Sequence, residues 1–288
     1  MPTPVLAPRL LLSLLIGASL LTACGREDSA TLVSNAKAHI AAGDYKAAII
    51  QLKNAVSEDE KNAEARYELG KLYFEQADLA SAEKEFRRAR EAGYAASQVN
   101  PMIARALIGQ GAFQRVLDEL PAATDRTAEG ATLQALRATA ELGLGRKDDA
   151  RKSAQSALQT APDNIDVHLA LAHLALADGE AEKAMQEIDH ALRSDPKHQE
   201  SLLLKGDLLR ATGKVAEAAA AYRKVIQIDP RQSNARLALA GIAIADNKLG
   251  EARKEADAAL KATPRNLQAH YTLALIDFQE KKNEQCLN

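Results

Sequence analysis

Tryptophan is absent from this 288-residue chain and aromatics make up only 3% of it, so its core must be packed from Ala, Leu, Ile and Val. A large β-sandwich is disfavoured, because strands are enriched in aromatic and β-branched residues. The only two cysteines, Cys24 and Cys286, stand at opposite ends and supply neither a disulfide framework nor the paired spacing of a metal site. Neither sign of charge dominates: 37 Lys and Arg against 39 Asp and Glu leave a formal charge of -2, which removes the global footprint of a nucleic-acid binder. The chain also lacks G-x-x-x-x-G-K-[ST], H-E-x-x-H, G-x-S-x-G and C-x-x-C, the spacings that mark phosphate loops, zinc hydrolases, serine hydrolases and thiol or zinc sites. No enzymatic activity, cofactor or metal is therefore expected. What remains, 47% hydrophobic and 26% charged residues, is the composition of a folded protein.

One long apolar run stands at the start. After Arg9, residues 10–23 are apolar, small or hydroxylic, too short for the ~20 apolar residues of a membrane-spanning helix but right for a secretory signal core. Leu21-Thr22-Ala23-Cys24 resembles the lipobox of bacterial lipoproteins. The resemblance implies cleavage before Cys24 and diacylation of its thiol, with residues 24–28 as a lipidated tether. An ordinary signal peptide with a free thiol at Cys24 is the alternative. Gly25, in place of Asp, implies by the same resemblance the outer membrane of a Gram-negative bacterium, facing the periplasm.

From residue 29 the chain repeats every 34 residues. One column reads Gly43, Ala77, Gly111, Gly145, Gly179, Gly213, Asn247 and Lys281, mostly residues that end a helix in a tight turn. Small residues recur seven positions earlier (Ala36, Gly70, Ala104, Ala138, Ala172, Gly206, Ala240, Ala274) and five later (Ala48, Ala82, Val116, Ala150, Ala184, Ala218, Ala252, Cys286), where two helices approach closely. Pro162, Pro196, Pro230 and Pro264 mark the junctions, because the residue before proline disfavours helix. The period predicts an all-α solenoid of helix-turn-helix units starting near residues 29, 63, 97, 131, 165, 199, 233 and 267. Stretches such as AEARYELGKLYFEQADLASAEKEFRRA (63–89) and SLLLKGDLLRATGKVAEAAAAYRKVIQIDP (201–230) resemble the tetratricopeptide repeat, which implies a right-handed superhelix of about seven and a half units.

Two departures stand out. Unit three carries Pro101 inside its first helix and Pro121 near the end of a shortened second one, so 121–130 is expected to be irregular. Unit eight stops just after its second helix is expected to begin, leaving Tyr271, Leu273, Leu275, Ile276 and Phe278 with little to cover them. That reads as a truncated array or a piece of a longer one, with a tendency to associate through this end.

In this repeat family, positions two, five, nine, twelve and thirteen of each unit line the concave face. Positions five and twelve give an almost continuous apolar stripe that includes Tyr67, Phe74, Leu169 and Leu203, interrupted by Arg210. Such a stripe is either contact between neighbouring first helices or an exposed groove for a partner's peptide or helix. Position nine gives Lys37, Lys71 and Arg105, then Thr139, His173, Asp207, Gly241 and Leu275. Three cations one repeat apart would hold an acidic polysaccharide or the acidic segment of a partner; a solvated face with three chance basic residues is the alternative. His168 and His173 lie about 140° apart on a helix, wrong for sharing a metal, which makes His173 an ordinary groove residue.

The N-terminal third, AKAHIAAGDYKAAIIQLKNAV (36–56), ARYELGKLYFEQADLASAEKEFRRAREAGY (65–94) and ARALIGQGAFQRVLDEL (104–120) behind a lipobox, resembles the tetratricopeptide lipoproteins of the PEP-CTERM/exosortase system. Members are lipoproteins encoded with exopolysaccharide and exosortase genes, and are longer arrays. The resemblance implies a membrane-anchored periplasmic scaffold for protein partners in exopolysaccharide or exosortase-linked export. An assembly lipoprotein for an outer-membrane pore or pilus, and an exopolysaccharide-binding module, are the alternatives.

Overall fold

Short polar side chains close several of the helix starts. In the computed structural model, which describes residues 27–120 and 127–287 with side chains through residue 281, the Asp28 carboxylate accepts the Thr31 amide at 2.7 Å to open α1 (Ser29–Ala41). Asn62 does the same for the Ala65 amide, at 2.9 Å, to open α3 (Ala63–Glu75). Each bond satisfies an N–H that has no partner inside its helix. The turn column works as its residues predict: Gly43, Gly111, Gly145, Gly179 and Gly213 have φ between 71° and 79°, with Ala77 at 58° and Asn247 at 56°. At these left-handed positions the chain reverses into the second helix of the unit.

The described residues form fifteen helices and no strand. The pairs are α1 with α2 (Tyr45–Glu58), α3 with α4 (Leu79–Glu91), α5 (Ala96–Gly109) with α6 (Phe113–Glu119), and α7 (Ala128–Gly143) with α8 (Lys147–Thr160). Then come α9 (Ile165–Ala177) with α10 (Ala181–Ser194), α11 (Gln199–Ala211) with α12 (Val215–Ile228), and α13 (Ser233–Ala245) with α14 (Leu249–Ala262). A single helix, α15 (Leu267–Leu287), ends the array. Each second helix packs against the first helix of the next unit.

Unit three departs as its prolines require. Pro101 sits inside α5 without ending it, and α6 has only seven residues. Pro121 lies outside the described residues, but α7 begins at Ala128, so the irregular stretch expected to reach residue 130 is shorter at its far side. Thr127 explains the earlier start: its hydroxyl accepts the Gly130 amide at 3.0 Å and caps the helix. Unit eight also differs. α15 runs unbroken through Lys281, where a turn and a second helix were expected. Gln279-Glu280-Lys281-Lys282 contains neither Gly nor Pro, and these residues favour continuing a helix.

Two residue pairs inside the unit explain how closely its helices approach. Where position eight is glycine, position 24 is aromatic. A Cβ on Gly70 would lie 2.7 Å from the Phe86 ring, and one on Gly206 would lie 2.5 Å from Tyr222; both rings are fully buried. Where position eight is alanine, position 24 shrinks: Ala36 with Leu52, Ala104 with Leu120, Ala172 with Ile188, Ala240 with Ala256. The space is filled from one helix or the other, as close packing demands.

The second pair is ionic. Arg66 at position four donates to the Glu60 carbonyl (2.7 Å) and to Glu85 at position 23 (2.8 Å). Arg236 repeats this with the Pro230 carbonyl (2.8 Å) and Glu255 (2.6 Å). In unit five His168 fills the place, its two ring nitrogens 2.7 Å from the Pro162 carbonyl and 2.7 Å from Glu187. Each locks a first helix to its own second helix and to the junction behind it. In unit one the place is taken by Leu32, and the buried Gln51 Oε1 facing it has no partner.

Candidate protein-binding groove

The first helices form the inner face, most tightly in the middle, where α5 and α9 both pack directly on α7. Position five is largely structural there. Leu169 is only 4% exposed and Val33, Pro101 and Ala135 are buried as well, so this part of the stripe is contact between neighbouring helices. Tyr67 and Leu203 remain half-buried. Position twelve forms the more accessible line: Ile40, Phe74, Ile108, Leu142, Leu176 and Ile244 are half-buried, and Arg210 and Phe278 are exposed. At the last helix Tyr271 and Phe278 are 65% and 66% exposed and Leu267 82%, while Ile276 is fully buried against unit seven.

All three position-nine cations have carboxylate partners. Lys37 Nζ donates to Glu64 at 2.5 Å, Lys71 to Glu68 at 3.0 Å and Arg105 to Asp166 at 2.6 Å. The Glu64 bond raises the Lys37 ammonium above its ordinary range. Burial pulls Lys71 the other way most strongly, yet its bond to Glu68 and the charges of Glu68, Tyr67 and Glu75 together leave it raised. The Arg105 bond joins unit three to unit five across α7, which the close packing of α5, α7 and α9 allows. The row is thus a set of ion pairs with its charge already balanced. Position two supplied Glu64 and Asp166, and an acid there beside a cation at position nine was the readable signal.

Aromatics cluster at the beginning of the array. Tyr67 stacks on Tyr94 with ring centroids 4.3 Å apart, tilts against Phe86 at 5.8 Å, and carries the Lys71 ammonium 5.7 Å from its centre. Burial pushes the Tyr67 phenol above its ordinary range. Further along, His173 is half-buried in the groove. Burial holds its imidazole below the usual range against the opposing pull of Glu200, so it is neutral at pH 7 and adds no charge to unit five. The Tyr222 hydroxyl donates to Asp207 at 2.7 Å. Among the described residues no three His, Cys, Asp or Glu side chains converge as metal ligands. Cys24 lies outside the described residues.

The tetratricopeptide repeat family model matches residues 39–106, 141–208 and 209–286, about three quarters of the chain. The unmatched interior stretch, 107–140, contains the short α6. No curated protein matches the sequence. Among solved structures, a tetratricopeptide repeat protein from Parabacteroides merdae aligns over 86% of this chain and 98% of its own, at 17% identity and a TM-score of 0.51. The Cut9–Hcn1 hetero-tetramer of the APC/C aligns over 87% of this chain and 53% of its own, at 13% identity and a TM-score of 0.51. PilF of Pseudomonas aeruginosa aligns over 72% and 95%, at 19% identity and a TM-score of 0.44. At such identities the likeness to the first two is one of fold. With its period, its left-handed turns and its family match in agreement, the chain belongs to the tetratricopeptide repeat family.

Proposed function

We propose that this protein is a scaffold that holds a segment of a partner protein in its inner groove, without chemistry of its own. The observation that carries the reading is the line of half-buried apolar side chains at position twelve, Ile40 to Leu176 and Ile244, flanked by ion pairs already closed within the array. Such a face offers apolar contact to a helix or an extended strand of peptide and leaves little charge to attract a polyanion. The groove is ordered before the partner arrives, which limits the entropy lost on binding. Tyr67 has one face against Tyr94, which leaves less of it for stacking a sugar, so the polysaccharide reading is the weaker one.

On this proposal Cys24 carries two or three acyl chains, enough for stable anchoring, and holds the array at the outer membrane facing the periplasm. The resemblance of its N-terminal third to exosortase-linked lipoproteins supports partners in exopolysaccharide or surface-protein export; assembly of an outer-membrane pore or pilus is the alternative. Capture from membranes of the source cell, with the mature protein and with Leu176→Asp plus Ile244→Asp, tests both parts. Export-linked proteins that elute with the first and not the second support the proposal. Polysaccharide alone, or the same proteins with both baits, refutes it. Mass spectrometry finding an unmodified Cys24 refutes the anchor.

A further inference from the structure

Arg231, in the junction between α12 and α13, lies far along the chain from Glu75 at the end of α3, yet its Nη2 donates to Glu75 Oε2 at 3.1 Å. The same guanidinium stands 3.2 Å from the centre of the Tyr45 ring, at the start of α2. A cation over an aromatic face together with a carboxylate at its edge is a defined recognition geometry. Here it joins the junction before unit seven to the turns of units one and two. The array therefore curls through one turn and touches itself edge to edge, with the first helices of the intervening units inside the curl.

A third partner makes this contact able to open. Asp229 accepts the Arg231 backbone amide at 2.9 Å and lies 3.4 Å from its Nε. It sits on the same junction, so it moves with Arg231. When Glu75 and Tyr45 withdraw, the guanidinium keeps a carboxylate beside it and is not left uncompensated. Glu75 is exposed and Arg231 partly so, which places the ion pair within reach of screening by salt.

We infer that Arg231, Tyr45 and Glu75 form a clasp that holds the superhelical turn shut and controls lateral entry to the inner groove. Closed, the groove is a channel that a partner segment enters from its ends; open, it admits a segment from the side. The gating role rests on the protein-binding reading of the groove, while the clasp itself is tested without any partner.

The test uses the full chain carrying a donor and an acceptor fluorophore, placed through noncanonical amino acids at the exposed Ala80 and Arg265, one on each side of the contact. Energy transfer should be highest in wild type at low salt and fall as sodium chloride is raised to ~1 M, where the Debye length is about 3 Å. Arg231→Met and Glu75→Gln should start at the lower transfer and lose most of the salt response, with unchanged helical circular dichroism. Wild-type transfer that ignores salt, or variants that match wild type, overturns the clasp. Because no partner is present in the measurement, that result would leave the protein-binding reading untouched, and a failed capture would leave the clasp.

Discussion

Replacing Gly206 by alanine should destabilise the array even though alanine is the better helix former. An exposed helix interior gains about 1 kcal/mol from this change. At Gly206 the new Cβ would lie 2.5, 2.8 and 2.9 Å from three atoms of the Tyr222 ring. That ring is fully buried and tethered by its hydroxyl to Asp207 at 2.7 Å, so it cannot retreat cheaply. Overpacking of this kind costs about 1–3 kcal/mol, and the net loss is then on the order of 1 kcal/mol. Tyr222→Leu alone leaves a void and costs roughly 2 kcal/mol. The two together recreate the arrangement of unit one, Ala36 with Leu52, and should recover the steric part, a coupling energy of about 1–3 kcal/mol. Urea unfolding of the four proteins, followed by far-ultraviolet circular dichroism with matching slopes, measures this cycle. Additive effects, or a Gly206→Ala protein more stable than wild type, would refute the idea that position eight is glycine because position 24 is aromatic.

Two further outcomes follow from buried polar groups. Gln51→Leu removes an orphaned buried oxygen facing Leu32 and should raise stability by about 1 kcal/mol in the same urea assay; no gain would mean the oxygen is satisfied in solution. Burial and the bond to Asp207 push the Tyr222 phenol up to about 12. A raised folded value favours the protonated form in the native state. Its contribution is therefore whole below the ordinary tyrosine value near 10 and is lost as pH rises through about 12. Alkaline unfolding followed at 295 nm should show Tyr222 ionising with the transition, and Tyr222→Phe should shift the midpoint; equal midpoints would count against the burial argument.

Much of this architecture is legible in the sequence, because the features that set it are local and periodic. The left-handed turn at Gly43 and its counterparts, the Pro101 helix and the short α6 all follow from residue type at a fixed spacing. The continuous α15 departs from the period for a definite reason: phase alone predicts a turn at Lys281, while residues 279–282 carry no chemistry to stop a helix. The groove was less legible. Burial of Leu169 and partial exposure of Leu203 depend on how closely first helices pack, which a shared column position does not reveal. The pairing of Lys37 with Glu64 is readable one repeat on, whereas Arg105 reaching Asp166 requires the compression around α7. Arg231 meeting Tyr45 depends on the pitch of the whole turn and has no periodic signature.

The ion pairs at positions four and 23 and the glycine–aromatic pairs at positions eight and 24 each lie within one unit. A duplication or deletion of a whole unit would carry such pairs along intact, so the length of the array is free to drift without harm to its interior. The contact of Arg231 with Glu75 obeys the opposite rule. Inserting or removing one unit between them would rotate its two halves out of register by a full repeat, so this one contact fixes the number of units in the stretch it spans.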